Sequence, residues 1–243
     1  MDKNRAYEMA LLSQRAYLPI DEFQALHSDR RFNFHSVNGT QVYTVWTDKE
    51  LIFAFRGTEA KFADIKADLK LKMEDIDSPH EYGMVHRGFK AALNCVFDVL
   101  QEDYNRLCEG RQVIFTGHSL GAALAILACS RLNNFESECF LYGAPRVGNA
   151  DFRDGFNFRF DKIYRFINQN DVVCRHPMSI WGYRHTGMSF YFDGDGKCVT
   201  NPNFWHRLKQ FLSGMYAGIE SHKIDSFADH SVSNYVRLTK ELE

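Results

Sequence analysis

Gly117-His118-Ser119-Leu120-Gly121 is the stretch on which the fold turns. It has the form G-x-S-x-G, a sharp turn that lifts a serine hydroxyl to the carboxyl edge of a sheet. The flanks agree with that reading. Ahead of it, Gln112-Val113-Ile114-Phe115-Thr116 is β-branched and aromatic, the composition of a buried strand. Behind it, Ala122-Ala123-Leu124-Ala125-Ile126-Leu127-Ala128 is small, apolar and helix-forming. A side chain at 117 or 121 would collide with the neighbouring element in so tight a turn. The helix amino terminus behind the serine offers N–H groups and a partial positive charge to an oxyanion.

Working outward, 243 residues suit one α/β domain spanning 1–243. With 29 basic and 31 acidic side chains the formal charge is -2, and no basic block marks a nucleic-acid partner or an anionic membrane surface. No apolar run reaches the roughly 18 residues of a membrane-spanning helix. The first residues, Met1-Asp2-Lys3-Asn4-Arg5, lack the apolar core of a signal peptide. Six cysteines at 95, 108, 129, 139, 174 and 198 are scattered, with no C-x-x-C pair for zinc or redox chemistry. Cys95, Cys129 and Cys139 lie in apolar contexts and are expected as buried free thiols. These features predict a reducing, cytoplasmic setting; secretion by a route unreadable in the chain is the alternative.

Residues 4–17 read as a helix ending before Pro19, with Tyr7, Ala10, Leu11 and Tyr17 near one face. Arg31–Val37 and Gln41–Trp46 flank Asn38-Gly39, a type I′ hairpin signal, and Leu51–Phe55 is a third strand. Residues 59–82 are polar without a clear strand; Phe62, Ile65 and Leu69 make one narrow helical stripe among charges. From Phe89 to Leu107, apolar residues recur at 3 and 4 and predict one long amphipathic helix. Glu138–Tyr142 and Ile163–Ile167 are strands, with a short helix over Ala150–Phe156 between them. Met188–Phe192 and Lys197–Thr200 pair across Asp193-Gly194-Asp195-Gly196, a hairpin turn lacking the spaced ligands of a calcium loop. Helices are expected from Asn203 to Tyr216 and from Ser231 to Glu241. Helices alternating with strands predict a mostly parallel sheet covered on both faces, opened by an antiparallel hairpin.

A serine hydroxyl is a poor nucleophile at neutral pH. It needs a base within hydrogen-bond reach, and the base needs an anion to hold its tautomer. On this kind of fold the order along the chain is Ser, then Asp or Glu, then His. Asp171 follows the strand after the elbow's neighbour and suits the acid. His230 and His222 lie suitably late; His230 directly precedes an amphipathic segment carrying Val232, Tyr235, Val236 and Leu238. His176 and His185 follow Asp171 closely and stay open as bases on spacing alone. His118 should point away from Ser119, and His86 suits a packing or hydrogen-bonding role. Oxyanion donors are expected from the Leu120 N–H and from the turn Phe55-Arg56-Gly57-Thr58.

Six separate stretches, in order, resemble the class 3 lipases, the family of fungal triacylglycerol lipases and their plant and bacterial relatives. They are Phe55-Arg56-Gly57-Thr58, His86-Arg87-Gly88-Phe89, Gly117 to Ala122, Tyr142 to Asn149, Asn170-Asp171-Val172-Val173 with Pro177, and Asp229-His230 with Tyr235. The resemblance covers residues 51–236. It implies an α/β-hydrolase fold with Ser119 as nucleophile, Asp171 as acid, His230 as base, and Thr58 and Leu120 as oxyanion donors. It likens Tyr183-Arg184-His185-Thr186-Gly187 to a family segment that does not carry the base, which removes His185 from contention. It makes residues 59–82 the lid, with Phe62, Ile65 and Leu69 as its apolar stripe, and Asp68 an orienting partner for Thr58.

The expected function is a serine carboxylester hydrolase without metal or cofactor. Its expected partner is a glycerolipid, or another acyl ester, met in solution or at a lipid–water interface. A feruloyl-type or short-chain esterase is the second reading, favoured by the polar lid. A catalytically silent binding protein is the third; the presence of all three triad residue types counts against it.

Overall fold

The computed structural model describes residues 1–57, 72–76, 83–203 and 228–242. Thr58, Phe62, Ile65, Asp68, Leu69, His222 and nearly all of the helix expected from Asn203 lie outside them.

The chain opens with helix α1, Lys3–Arg15, capped by Asp2, whose carboxylate accepts from the N–H groups of Asn4 and Arg5. Its buried side is Ala6, Met9, Ala10, Leu12 and Ser13, rotated from the face expected; Tyr7 and Leu11 are only half-buried. A short α2, Ile20–Leu26, follows Pro19. Strands β1, Arg31–Val37, and β2, Thr40–Trp46, form the hairpin, with Asn38 and Gly39 both at positive φ (50° and 80°), as a type I′ turn demands. Strand β3 is Glu50–Phe55.

Two three-residue strands, β4 (Met73–Asp75) and β5 (Met84–His86), pair antiparallel where no strand was expected. The long helix expected from Phe89 is two: α3, Arg87–Asn94, and α4, Phe97–Leu107. At the joint the N–H groups of Cys95 and Val96 donate to carbonyls three residues back, a tightened turn that breaks the axis. The apolar 3-and-4 spacing runs unbroken through this joint, so the pattern conceals it. His86 caps α3: its Nδ1 accepts from the N–H of Gly88 and Phe89 at 3.1 and 3.3 Å. Burial pushes its imidazole down to about 4, which keeps Nδ1 a lone-pair acceptor.

Then come β6 (Gln112–His118), α5 (Leu120–Leu132), β7 (Glu138–Tyr142), α6 (Ala150–Arg159), β8 (Ile163–Asn168), β9 (Met188–Phe192), β10 (Cys198–Thr200) and α7 (Val232–Lys240). The Asp193 carboxylate closes the turn between β9 and β10 by accepting from the N–H groups of Asp195 and Lys197. Among the described residues the main sheet has the order β1-β2-β3-β6-β7-β8-β9-β10. It is antiparallel at both ends and parallel from β3 to β9. All six cysteines are free thiols; Cys129, Cys139 and Cys174 are buried, whereas Cys95 is only half-buried.

Strand alternation sorts most of the core into two large clusters, one on each face. Phe53, Phe55, Val113 and Phe115 face α3, α4, α5 and α6. Ile52, Ala54, Ile114, Phe140, Tyr142 and Phe166 face α1 and α7. Helix α5 is buried from Gly121 to Ser130 because its residues are small enough to lie close against the sheet. The parallel strands bring the ends of β3, β6, β7 and β8 to one edge. No helix among the described residues is long and apolar enough to cross a membrane.

Candidate active site

Ser119 sits between β6 and α5 with φ 60° and ψ −127°, a conformation L-residues rarely adopt. A crowded junction holds it there. A Cβ at 117 would collide with the Gly121 carbonyl, and one at 121 with the Phe55 carbonyl, so the start of α5 rests on the end of β3. The Ser119 N–H donates to the Tyr142 carbonyl at 2.9 Å, tying the elbow to β7. The serine is 2% exposed, and among the described residues its Oγ has no hydrogen-bond partner. Leu120 is the first residue of α5, where backbone N–H groups have no carbonyl a turn back.

The turn after β3 lies against the elbow: a Cβ at Gly57 would stand 3.3 Å from Ser119 Cβ and 2.6 Å from the His118 carbonyl. Thr58 is the next residue, outside the described set, as are Asp68 and the stripe Phe62, Ile65 and Leu69.

Asp171 follows β8 and is 1% exposed. Its Oδ2 is 2.8 Å from His230 Nδ1 and accepts from the Tyr235 hydroxyl at 2.6 Å; its Oδ1 accepts from the Val173 N–H at 2.8 Å. Burial alone would raise this carboxyl. The bonds from His230, Tyr235 and Val173, with the attraction of His230, outweigh it and hold the group below its ordinary value. Asp171 is therefore a buried anion at neutral pH, the state that orients an imidazole.

His230 ends a short 3-10 turn, Ala228–His230, just before α7. The acid loop holds this turn: Asn168 Nδ2 donates to the Asp229 carbonyl at 2.9 Å, and the Asn170 N–H to its carboxylate at 3.3 Å. Gly143, φ 60°, lies beneath both side chains; a Cβ there would sit 2.9 Å from His230 Cε1 and 3.0 Å from Asp171 Oδ2. Gly143 follows Tyr142, whose carbonyl holds the Ser119 N–H, so Ser119, Asp171 and His230 converge on the end of β7. His185 instead bonds the Cys174 carbonyl through Nε2 at 2.7 Å, and His176 the Val172 carbonyl through Nδ1 at 2.8 Å.

Sequence reasoning missed the contacts of Tyr235, Gly143 and His118. All three lie in stretches quoted for the family resemblance, with none of these contacts attached. His118 does turn from Ser119, and it meets Tyr17 and the His230 main chain.

Over 83 residues the chain is 39% identical to the secreted mono- and diacylglycerol lipase 1 of Fusarium solani, covering 33% of this chain and 25% of that protein. Over 127 residues it is 34% identical to phospholipase A1-II 1 of Oryza sativa subsp. indica, covering 48% and 31%. The chain thus spans a third or less of the length of these two relatives. Among solved structures, the lipase from Rhizopus microsporus var. chinensis superposes with a TM-score of 0.66 at 25% identity, over 78% of this chain and 74% of that one. Residues 52–180 match the model of the family described as Lipase (class 3), and the chain belongs to that family.

Proposed function

We propose that the chain is a serine carboxylester hydrolase acting on glycerolipids. The observation that carries this reading is a buried, anionic Asp171 bonded to His230 Nδ1 beside a serine held at positive φ. In the proposed cycle Ser119 Oγ attacks the acyl carbonyl carbon as its proton passes to His230 Nε2. The carbonyl π pair moves to oxygen, where the Leu120 N–H and the Thr58 backbone and hydroxyl receive the charge. Collapse expels the alkoxide, which takes the proton from His230 and leaves as alcohol. Water, deprotonated by His230, then attacks the acyl-serine; the acid departs and Ser119 regains its proton. Asp171 stays ionised throughout and stabilises the imidazolium.

Within glycerolipids the relatives diverge: the Fusarium protein is named for mono- and diacylglycerol, the Oryza protein as a phospholipase A1. The deciding test is hydrolysis of p-nitrophenyl esters of increasing chain length, with emulsified triglyceride and phosphatidylcholine vesicles in parallel. Release of fatty acid from either lipid supports the reading. Turnover confined to short or aromatic acyl groups would replace it with a non-lipid esterase, the alternative that the many charges between 59 and 82 favour.

A further inference from the structure

The elbow carries a buried ionisable side chain for which the cycle above has no task. His118 ends β6, and strand alternation sends it to the same sheet face as Thr116, which bonds Ser13 of α1 at 2.9 Å. On that face His118 Nε2 lies 2.7 Å from the His230 carbonyl oxygen. A carbonyl only accepts, so Nε2 carries a proton. Nδ1 lies 2.9 Å from the Tyr17 hydroxyl. Burial, aided by the neighbouring His230, pushes the ring down to about 3, so it is neutral and Nδ1 is bare. The Tyr17 O–H therefore donates to Nδ1 and fixes the tautomer that aims Nε2–H at His230. The two imidazoles also face one another, with centroids 4.5 Å apart and planes inclined by 31°.

We infer that His118 is a positioning residue for the base: its Nε2–H holds the His230 main chain and its ring backs the His230 imidazole against Asp171. His230 needs such support. It belongs to a three-residue 3-10 turn, too short to be held by its own ladder. Main-chain placement there sets where both ring nitrogens fall. The turn leans on the acid loop through Asp229, and His118 supplies a second anchor, from the elbow itself. Nucleophile and base are thereby set on one rigid strand end. Tyr17 reaches this place because the chain continues past α1 under the turn after β3, where a Cβ at Gly57 would collide with its hydroxyl. The inference rests on the proposed ester-hydrolase reading.

His118→Gln and His118→Asn separate the roles of donor and bulk. A Gln amide nitrogen reaches about where Nε2 stands, whereas an Asn amide stops near Nδ1. With a soluble p-nitrophenyl ester, His118→Asn is expected to lower kcat by about 10- to 100-fold, the cost of a misplaced catalytic group, with KM little changed. His118→Gln should keep kcat within about threefold of wild type by restoring the donor. In the absence of substrate, the low-field proton resonance of His230 Nδ1–H should persist in His118→Gln and broaden away in His118→Asn. Equal kcat and equal spectra in the two variants, at unchanged Tm, would overturn the inference. Should His118→Asn fail to fold, Tyr17→Phe leaves His118 in place and removes the bond that sets its tautomer. A severalfold loss of kcat at constant KM would then support the role, and a wild-type kcat with an unaltered low-field proton would refute it. A wild-type protein that neither cleaves the ester nor reacts with a fluorophosphonate at Ser119 would instead defeat the hydrolase reading.

Discussion

Tyr235 donates its hydroxyl to Asp171 Oδ2 at 2.6 Å, the same oxygen that lies 2.8 Å from His230 Nδ1. The hydroxyl also accepts from the Asn168 N–H at 3.1 Å, which leaves its proton for the carboxylate. A buried anion is tolerated there because three donors compensate for lost water: His230, Tyr235 and the Val173 N–H.

Tyr235→Phe removes one of the three. A hydrogen bond to a charged group contributes about 1.5–3 kcal/mol, so the variant should lose stability of that order at neutral pH. The pH dependence has a definite sign. Asp171 is held below its ordinary value in the folded state, so its contribution is present above the ordinary carboxylate range and is lost as pH falls through the folded value. Without Tyr235 the folded value rises and the protected window narrows. Urea melts at neutral and acid pH should place acid unfolding of Tyr235→Phe at higher pH than wild type; coincident acid limbs would show that the hydroxyl does not support the anion.

Ser119→Ala should abolish ester hydrolysis, by on the order of 10⁵-fold, because triad members act as a unit. Ser119→Gly should be equally inactive yet more stable than Ser119→Ala, by about 1 kcal/mol, because glycine adopts the positive φ without strain. Thermal melts of the pair, alongside fluorophosphonate labelling, check both halves. Labelling that survives either change would remove Ser119 from the mechanism.

His230→Ala should be inactive, whereas His185→Ala should retain most turnover. His185 Nε2 lies 2.7 Å from the Cys174 carbonyl, while His230 Nδ1 lies 2.8 Å from Asp171 Oδ2. Initial rates on a soluble ester distinguish them. An inactive, folded His185→Ala together with an active His230→Ala would reverse the assignment.

The segment 59–82 yields an expectation from composition alone. Phe62, Ile65 and Leu69 are interleaved with Lys61, Asp64, Lys66, Asp68, Lys70 and Lys72. At roughly 25 cal/mol per Å² so narrow a stripe is worth at most a few kcal/mol when covered. Hydrolysis of tributyrin should therefore be measurable below its solubility limit and rise only modestly above it. A near-zero rate below the limit, followed by a steep jump, would contradict the expectation.

The sequence discloses what is encoded locally and conceals what is encoded by approach. Asn38-Gly39 announces its hairpin because positive φ at both positions is a property of those two residues. The elbow is legible for a similar reason, since Gly117 crowds against Gly121 within the same five residues. The kink at Cys95–Val96 is invisible because apolar spacing does not change across it. Strands β4 and β5 are too short to show alternation. At the site, the order Ser119, Asp171, His230 could be read, with the family resemblance choosing among histidines. What surrounds those three could not. Tyr17 and His118 are separated by 101 residues, and Asp171 and Tyr235 by 64, and no periodicity links such pairs.

The glycines at 57, 117 and 121 bear on how this protein records its history. Each stands where another chain segment leaves no room for a β-carbon: Gly57 against Tyr17 and the His118 carbonyl, Gly117 against Gly121, Gly121 against Phe55. None of these contacts involves a substrate. In a mutant library screened for soluble expression and never for turnover, these positions should stay glycine, while Ser119 and His230 drift under the relaxed selection. A descendant that had abandoned chemistry would therefore still carry the outline of the elbow. In such a lineage the glycines testify to ancestry, and Ser119 and His230 testify to use.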